Sequence, residues 1–206
     1  ISNLILKTWN TIYAAVIVYA APVRIYNVNF VSDNAVSTTI VTGNVLIENC
    51  NYTGSTGVNS MLLSVGLSST VTVNDCNFRG ISGAFARGIL AENSTLTANR
   101  CTFDSIYANE GGGILARASN LAVANSTFTN MALNTSVQIG AGIFFSQGTS
   151  KTLLVSGSFF KNLTSWAGSG ITSYNAASVI VTGCRFESCA AGAEAGFVLV
   201  YLSPTT

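Results

Sequence analysis

The 206-residue chain has no histidine, only 2 prolines and 2 methionines, and charged residues make up just 8% of it. Each shortage excludes something. Without histidine, the commonest general base and metal ligand is missing. Charge stands far below the roughly 25% usual in globular domains. With a formal net charge of +1, no electrostatic footprint points to nucleic acid or to an anionic membrane surface. Long hydrophobic runs are lacking too. The most apolar stretch, Ile12–Ala21, is about half the roughly 20 residues a spanning helix needs, and it lacks the basic flank and cleavage pattern of a signal peptide. Neither a membrane span nor a nucleic-acid partner is expected. The chain starts at Ile1 without Met and runs straight into apolar sequence, which reads as a processed product or a piece of something longer.

What is present is repetition. The segment NEGGGILA at residues 109–116 returns as ARGIL (86–90), GAGIF (140–144) and GSGIT (168–172). Each is followed by a polar patch, a short alternating run and a segment ending in an aromatic. The aromatics Phe30, Tyr52, Phe78, Phe103, Phe128, Phe160 and Phe186 are separated by 22, 26, 25, 25, 32 and 26 residues. Aligned on them, apolar pairs recur seven and five residues earlier, from Val23 and Ile25 to Val179 and Val181. Two residues earlier stand Val28, Cys50, Cys76, Cys101, Ser126, Ser158 and Cys184; three later, Ile81, Ile106, Met131, Leu163 and Cys189. Eleven and thirteen later come Leu63 and Val65, Ile89 and Ala91, Ile114 and Ala116, Ile171 and Ser173, and Phe197 and Leu199. Ile143 and Phe145 join once an insertion is allowed.

Alternation with period two in three short pieces per repeat means strands, not helix. The parity slips between the fifth and second residues before the aromatic, so a corner lies there. Its residues are polar: Asn27, Asn49, Asn74, Asp75, Asn99 and Asn125. Asparagine tolerates the left-handed backbone of a sharp bend. The fold expected is all-β: a right-handed parallel β-helix of about eight coils of about 25 residues, three short strands to a coil, stacked at about 4.8 Å. Val16 and Val18 fit a first coil anchored near Ile5. One domain is expected over 1–201, with 202–206 as a tail. The glycines before each Ile sit where the chain turns into a strand, where a side chain would crowd the stacked backbones or forbid a positive φ. GGGI is no phosphate cradle, because no Lys-Ser/Thr follows and a strand comes where a helix is needed.

With these motifs in hand, the chain resembles right-handed parallel β-helix proteins of the pectin-lyase-like class over nearly its whole length. The pairing of RCTF (100–103) with GGGI (111–114) is most similar to polymorphic outer-membrane-protein and adhesin-type surface repeats. Those usually carry Asn shortly after the Phe, where this chain has Asp33, Ile81, Ile106, Met131 and Leu163. The resemblance implies the fold. It also implies a polysaccharide-active alternative, in which Asp, Arg or Lys cluster on an outer face, sometimes with calcium.

Such chemistry needs carboxylates converging on one bond or around one cation. Here Asp33, Asp75 and Asp104 fall in different columns on different coils. Asp75 stands beside Arg100, and Glu92 shares a column with Arg117, which reads as stacked ion pairs. No catalytic residue, metal set or cofactor is expected. Cys50, Cys76 and Cys101 share one inward column at the repeat spacing, which reads as buried thiols acting as small hydrophobes. Stacked neighbours also fall within disulfide range, and Cys184 with Cys189 is the pair nearest in sequence. Sequons for N-glycosylation occur at Asn51, Asn93, Asn125, Asn134 and Asn162. Tyr26, Tyr107, Trp166 and Tyr174 are candidate sugar platforms that share no column.

The outward column of the third strand holds Ser64, Leu90, Leu115, Phe144, Thr172 and Val198, with Ile17 at its start. Leu46, Leu154 and Ile180 add apolar outward positions on the first strand. A stripe of this length exceeds what monomers leave exposed, so Ile17, Leu90, Leu115, Phe144 and Val198 form the expected assembly face. It would be covered by another copy, end to end or side to side, or by another domain. No helix caps either end. The expected function is a non-catalytic structural or adhesive solenoid of the cell surface or extracellular space, in contact with itself and with glycans. The alternative is a polysaccharide-binding or polysaccharide-degrading protein.

Overall fold

The structure, a computed structural model, describes residues 2–9, 16–19, 22–33, 37–54, 61–66, 68–83, 86–109, 111–133, 139–194 and 196–201. Among them every regular element is a β-strand. All strand pairs are parallel, and each strand pairs with its equivalent one repeat away, as in Thr95–Asn99 lying between Thr70–Asn74 and Asn120–Ala124. The first and second strands of each turn form two faces joined through the long strand Val23–Asp33. The third strands, from Val16–Val18 to Val198–Tyr201, form a separate sheet of eight.

The aromatic anchors form one continuous file. From Phe30 to Phe186 successive rings stack at 4.5–4.9 Å with planes within 12° of parallel. Six stacked pairs mean six turns between the first ring and the last, with partial laps at both ends; the expected eight is slightly too many. Each stacked pair contributes about 0.5–1.5 kcal/mol beyond its buried area. The flanking inward columns are buried as well, including Ile47, Val73, Ala98, Val123 and Val155 on the first strands and Ile81, Ile106, Met131 and Leu163 beyond the rings.

The corners have a backbone reason. Three residues before each ring, Asn27, Asn49, Asp75, Arg100, Asn125, Gly157 and Gly183 all have φ between 50° and 61°. A second left-handed file follows the rings at Gly80, Ser105, Asn130, Asn162 and Ser188. The asparagines usual after the ring are therefore present in two turns, one residue earlier than the alignment placed them. The glycine immediately before each third-strand Ile is required by crowding. A Cβ on Gly113 would stand 2.7 Å from the Phe128 ring and 2.5 Å from the Gly142 carbonyl oxygen.

Two registers differ from expectation. Leu6, not Ile5, lies opposite Phe30, and Ile5 is 73% exposed. In the last lap Val198, not Phe197, lies opposite Ile171. The pairing of Phe159–Ala167 with Ala190–Glu194 shifts register between Ser165 and Ala167, and such a bulge adds one residue to the lap.

Candidate functional site

The residue after the first corner turns its N–H inward, where a side chain meets it. Cys76 Sγ accepts the Cys50 N–H at 3.4 Å; Ser126 Oγ accepts the Cys101 N–H and Ser158 Oγ the Ser126 N–H, each at 3.1 Å. Each group then donates to the carbonyl two residues back: Cys76 to Asn74 at 3.1 Å, Ser126 to Ala124 and Ser158 to Ser156 at 2.9 Å. The thiols are thus more than small hydrophobes. They satisfy buried backbone groups that would otherwise be costly. After the third strands, Ser119 does the same for the Ser94 N–H at 3.1 Å.

All five cysteines are free. The disulfide that the sequence leaves possible between Cys184 and Cys189 is not formed: Cys184 donates to the Thr182 carbonyl and Cys189 to the Glu187 carbonyl, on either side of the ring column. Burial pushes the Cys101 thiol up to about 11. Its hydrogen bond to Cys50, then burial, raises Cys76 well above the thiol range. These are groups kept protonated inside the core, which is the opposite of what a nucleophile or thiolate ligand needs.

On the outer surface, every carboxylate whose side chain is described is held across a turn. Arg24 meets Glu48 at 2.7 Å. Arg100 embraces Asp75 with two bonds of 2.7 and 2.8 Å, which hold that carboxyl below its usual range. Arg117 stands 3.6 Å from Glu92, and Glu187 is paired with Lys161 and Arg185. The stacked pairs read from the sequence at Asp75–Arg100 and Glu92–Arg117 are both present. Asp104 accepts hydrogen bonds from Thr129 at 2.7 Å, Asn130 at 2.8 Å and Ser105 at 3.0 Å. Burial alone would raise its carboxyl, but these bonds bring it below the usual value. No group of three metal-ligating side chains occurs among the described residues.

The apolar stripe is corrected in its middle. Leu90, Leu115 and Phe144 are only 8%, 0% and 7% exposed and form a second small cluster with Met61, Ile139 and Tyr174. At two of the third strands the backbone at Gly111 and Gly140 closes over the outward column. A Cβ on Gly111 would stand 2.9 Å from Leu115 Cβ, and one on Gly140 2.9 Å from Phe144 Cβ. Thr172 is buried likewise and donates to the Gly168 carbonyl. Val198 is no part of an outward face; it takes the inward slot and packs on the main core, leaving the outward one to Leu199. Ile17, at 44%, is the one predicted member that is exposed, while Leu154 and Ile180, register partners on the first-strand face, are also open to solvent.

The sequons differ in their surroundings. Asn51 donates to Asn29 and accepts from Asn77, both at 2.8 Å. Asn125 donates to Asn99 at 3.4 Å and Asn162 to Asn130 at 3.1 Å. Asn93 is exposed at a left-handed corner, and Asn134 lies outside the described residues. The aromatic platforms do not converge. Tyr174 is stacked on Tyr201, Tyr26 lies under the Arg24 guanidinium, and Tyr107 stands alone on the second face. A shallow cleft of about 410 Å³ runs along the amide ladder, lined by Ile5, Val31, Asn51, Thr53 and Arg79.

This continuous parallel coil is matched at sequence level by the family described as right handed beta helix region, over residues 61–206. The chain belongs to that family. Right-handed β-helix proteins include both enzymes, such as pectate lyases, and non-enzymes. No curated protein and no solved structure matches the chain. No helix among the described residues is long and apolar enough to cross a membrane.

Proposed function

We propose that this β-helix is a non-catalytic structural or adhesive solenoid that works at the cell surface or outside the cell. The observation that carries the reading is the use made of the acids whose side chains are described. Glu48, Asp75, Glu92, Asp104 and Glu187 each tie one turn to the next. Glycosidic cleavage requires instead a pair of carboxylates free to exchange protons with a bound substrate. Contact with another copy or domain would use Ile17 near one end of the coil, or the Leu154–Ile180 pair on the first-strand face near the other, since the middle of the expected stripe is filled by the chain itself. A polysaccharide-binding reading is favoured by the cleft between Asn51 and Arg79, where side-chain amides and a guanidinium line an open surface.

The test is a turnover assay on neutral and acidic polysaccharides, with and without calcium, beside sedimentation analysis over a wide concentration range. The expected result is no new reducing ends or unsaturated products, and association weakened by Leu154→Lys with Ile180→Lys. Cleavage abolished by Asp104→Asn or Asp75→Asn would overturn the non-catalytic reading.

A further inference from the structure

Of the four described sequons, three have their amide nitrogen engaged in a hydrogen bond to the asparagine one turn earlier. Replacing an amide proton there by a sugar carbon crowds a close amide–amide contact. Asn93 is different. It occupies the corner after a third strand at φ 48° and is exposed. Its backbone N–H is paired with the Arg117 carbonyl, and its side-chain amide makes no hydrogen bond to the described residues. Beside it lies a polar hollow of about 240 Å³ lined by Ser68, Ser69, Thr70, Ser94, Thr95 and Lys151. The hydroxyls of Ser68, Thr70 and Thr95 make no hydrogen bond to the described residues. We infer that Asn93 is a site of N-linked glycan attachment and that this hollow seats the first sugar.

The chemistry is a displacement at the anomeric carbon of a lipid-diphosphate-linked oligosaccharide. A bond forms from Asn93 Nδ2 to C1, the C1–O bond to the diphosphate breaks, the lipid diphosphate leaves and one amide proton is released. Thr95 supplies the hydroxyl that the N-x-S/T motif requires. In the folded rod, the unpartnered hydroxyls and the Lys151 ammonium match the hydroxyl and amide edges of a sugar ring. The inference rests on the extracellular reading above.

The experiment is secretion of the full chain from a eukaryotic host, followed by peptide mapping after amidase release in heavy-oxygen water. The host sends the chain through the secretory route, so occupancy there tests the site, while material from the native source tests the extracellular reading separately. Occupancy of Asn93 in most molecules is expected, and Asn93→Gln and Thr95→Val should each remove the mass of one glycan. An unmodified Asn93, whether or not other sequons are occupied, overturns the assignment. For the seat, the glycosylated chain should melt about 2–4 °C above the same sequence made without glycan in a bacterial host, which keeps Asn93 at its left-handed corner; that is the shift that about 1 kcal/mol gives at this size. An unchanged midpoint overturns it.

Discussion

The turns carrying Cys50, Cys76 and Cys101 and the turns carrying Ser126 and Ser158 fill one inward position with different atoms. In both halves the side chain accepts an N–H from the turn before and donates to a carbonyl two residues back. The accepted bond is 3.4 Å to sulfur and 3.1 Å to oxygen. The rings alongside keep their spacing: 4.7 Å from Tyr52 to Phe78 in the sulfur half and 4.7 Å from Phe128 to Phe160 in the oxygen half. The position therefore selects for a short side chain with one donor and one acceptor, and the element is secondary. Cysteine here is a serine analogue that happens to be apolar enough for the core.

The largest effect that could break this equivalence is loss of a ring. Phe103→Ala and Phe128→Ala should each cost about 3–5 kcal/mol, with similar denaturant midpoints, because both rings are buried between two stacked neighbours. A clear gap between them would mean that the halves are packed differently. Next comes loss of the file's own hydrogen bond. Ser126→Ala leaves the Cys101 N–H buried and unmet, as Cys76→Ala does that of Cys50, at about 1–3 kcal/mol each. The serine deletion should be the costlier of the two by urea unfolding.

Asp104 ties the last cysteine turn to the first serine turn through Thr129 and Asn130. Its folded-state pKa is lowered, so its contribution is complete above the unfolded value of about 3.9. It is lost as pH falls through the lower folded value. Asp104→Asn should melt lower than the parent at pH 7, by about 1 kcal/mol, and converge with it in thermal scans once the pH has fallen below the lowered folded-state value. The smallest effect is expected for the exchanges Cys101→Ser and Ser126→Cys. Each should stay within about 1 kcal/mol of the parent, and a larger loss in either would show that the element matters after all.

Much of this was legible in the residues. The ring period located the inward files of the middle turns around the ring, the polar residues at the first corner marked the left-handed turns, and Asp75 beside Arg100 showed how adjacent turns are tied. What escaped had physical causes. Alternation says that Leu115 and Phe144 point away from the main core, but not that the backbone at Gly111 and Gly140 closes over them. The bulge opposite Ser165 and Ala167 adds its residue at Gly192 and Ala193, and one glycine in a glycine-rich chain does not single out a bulge, so the pattern puts Val198 on the wrong side. The hydrogen bonds of the thiols depend on the direction of single N–H groups, which a pattern of residue types does not carry.

The lap from Phe128 to Phe160 takes 32 residues and the one before it 25, yet both advance the ring file by 4.7 Å. Thread pitch is therefore independent of the length of chain in a circuit. The exposed tip Thr149–Ser150, just past the buried Gly148, is consequently a natural point for grafting a foreign loop, where cargo can be hung without retuning the shaft.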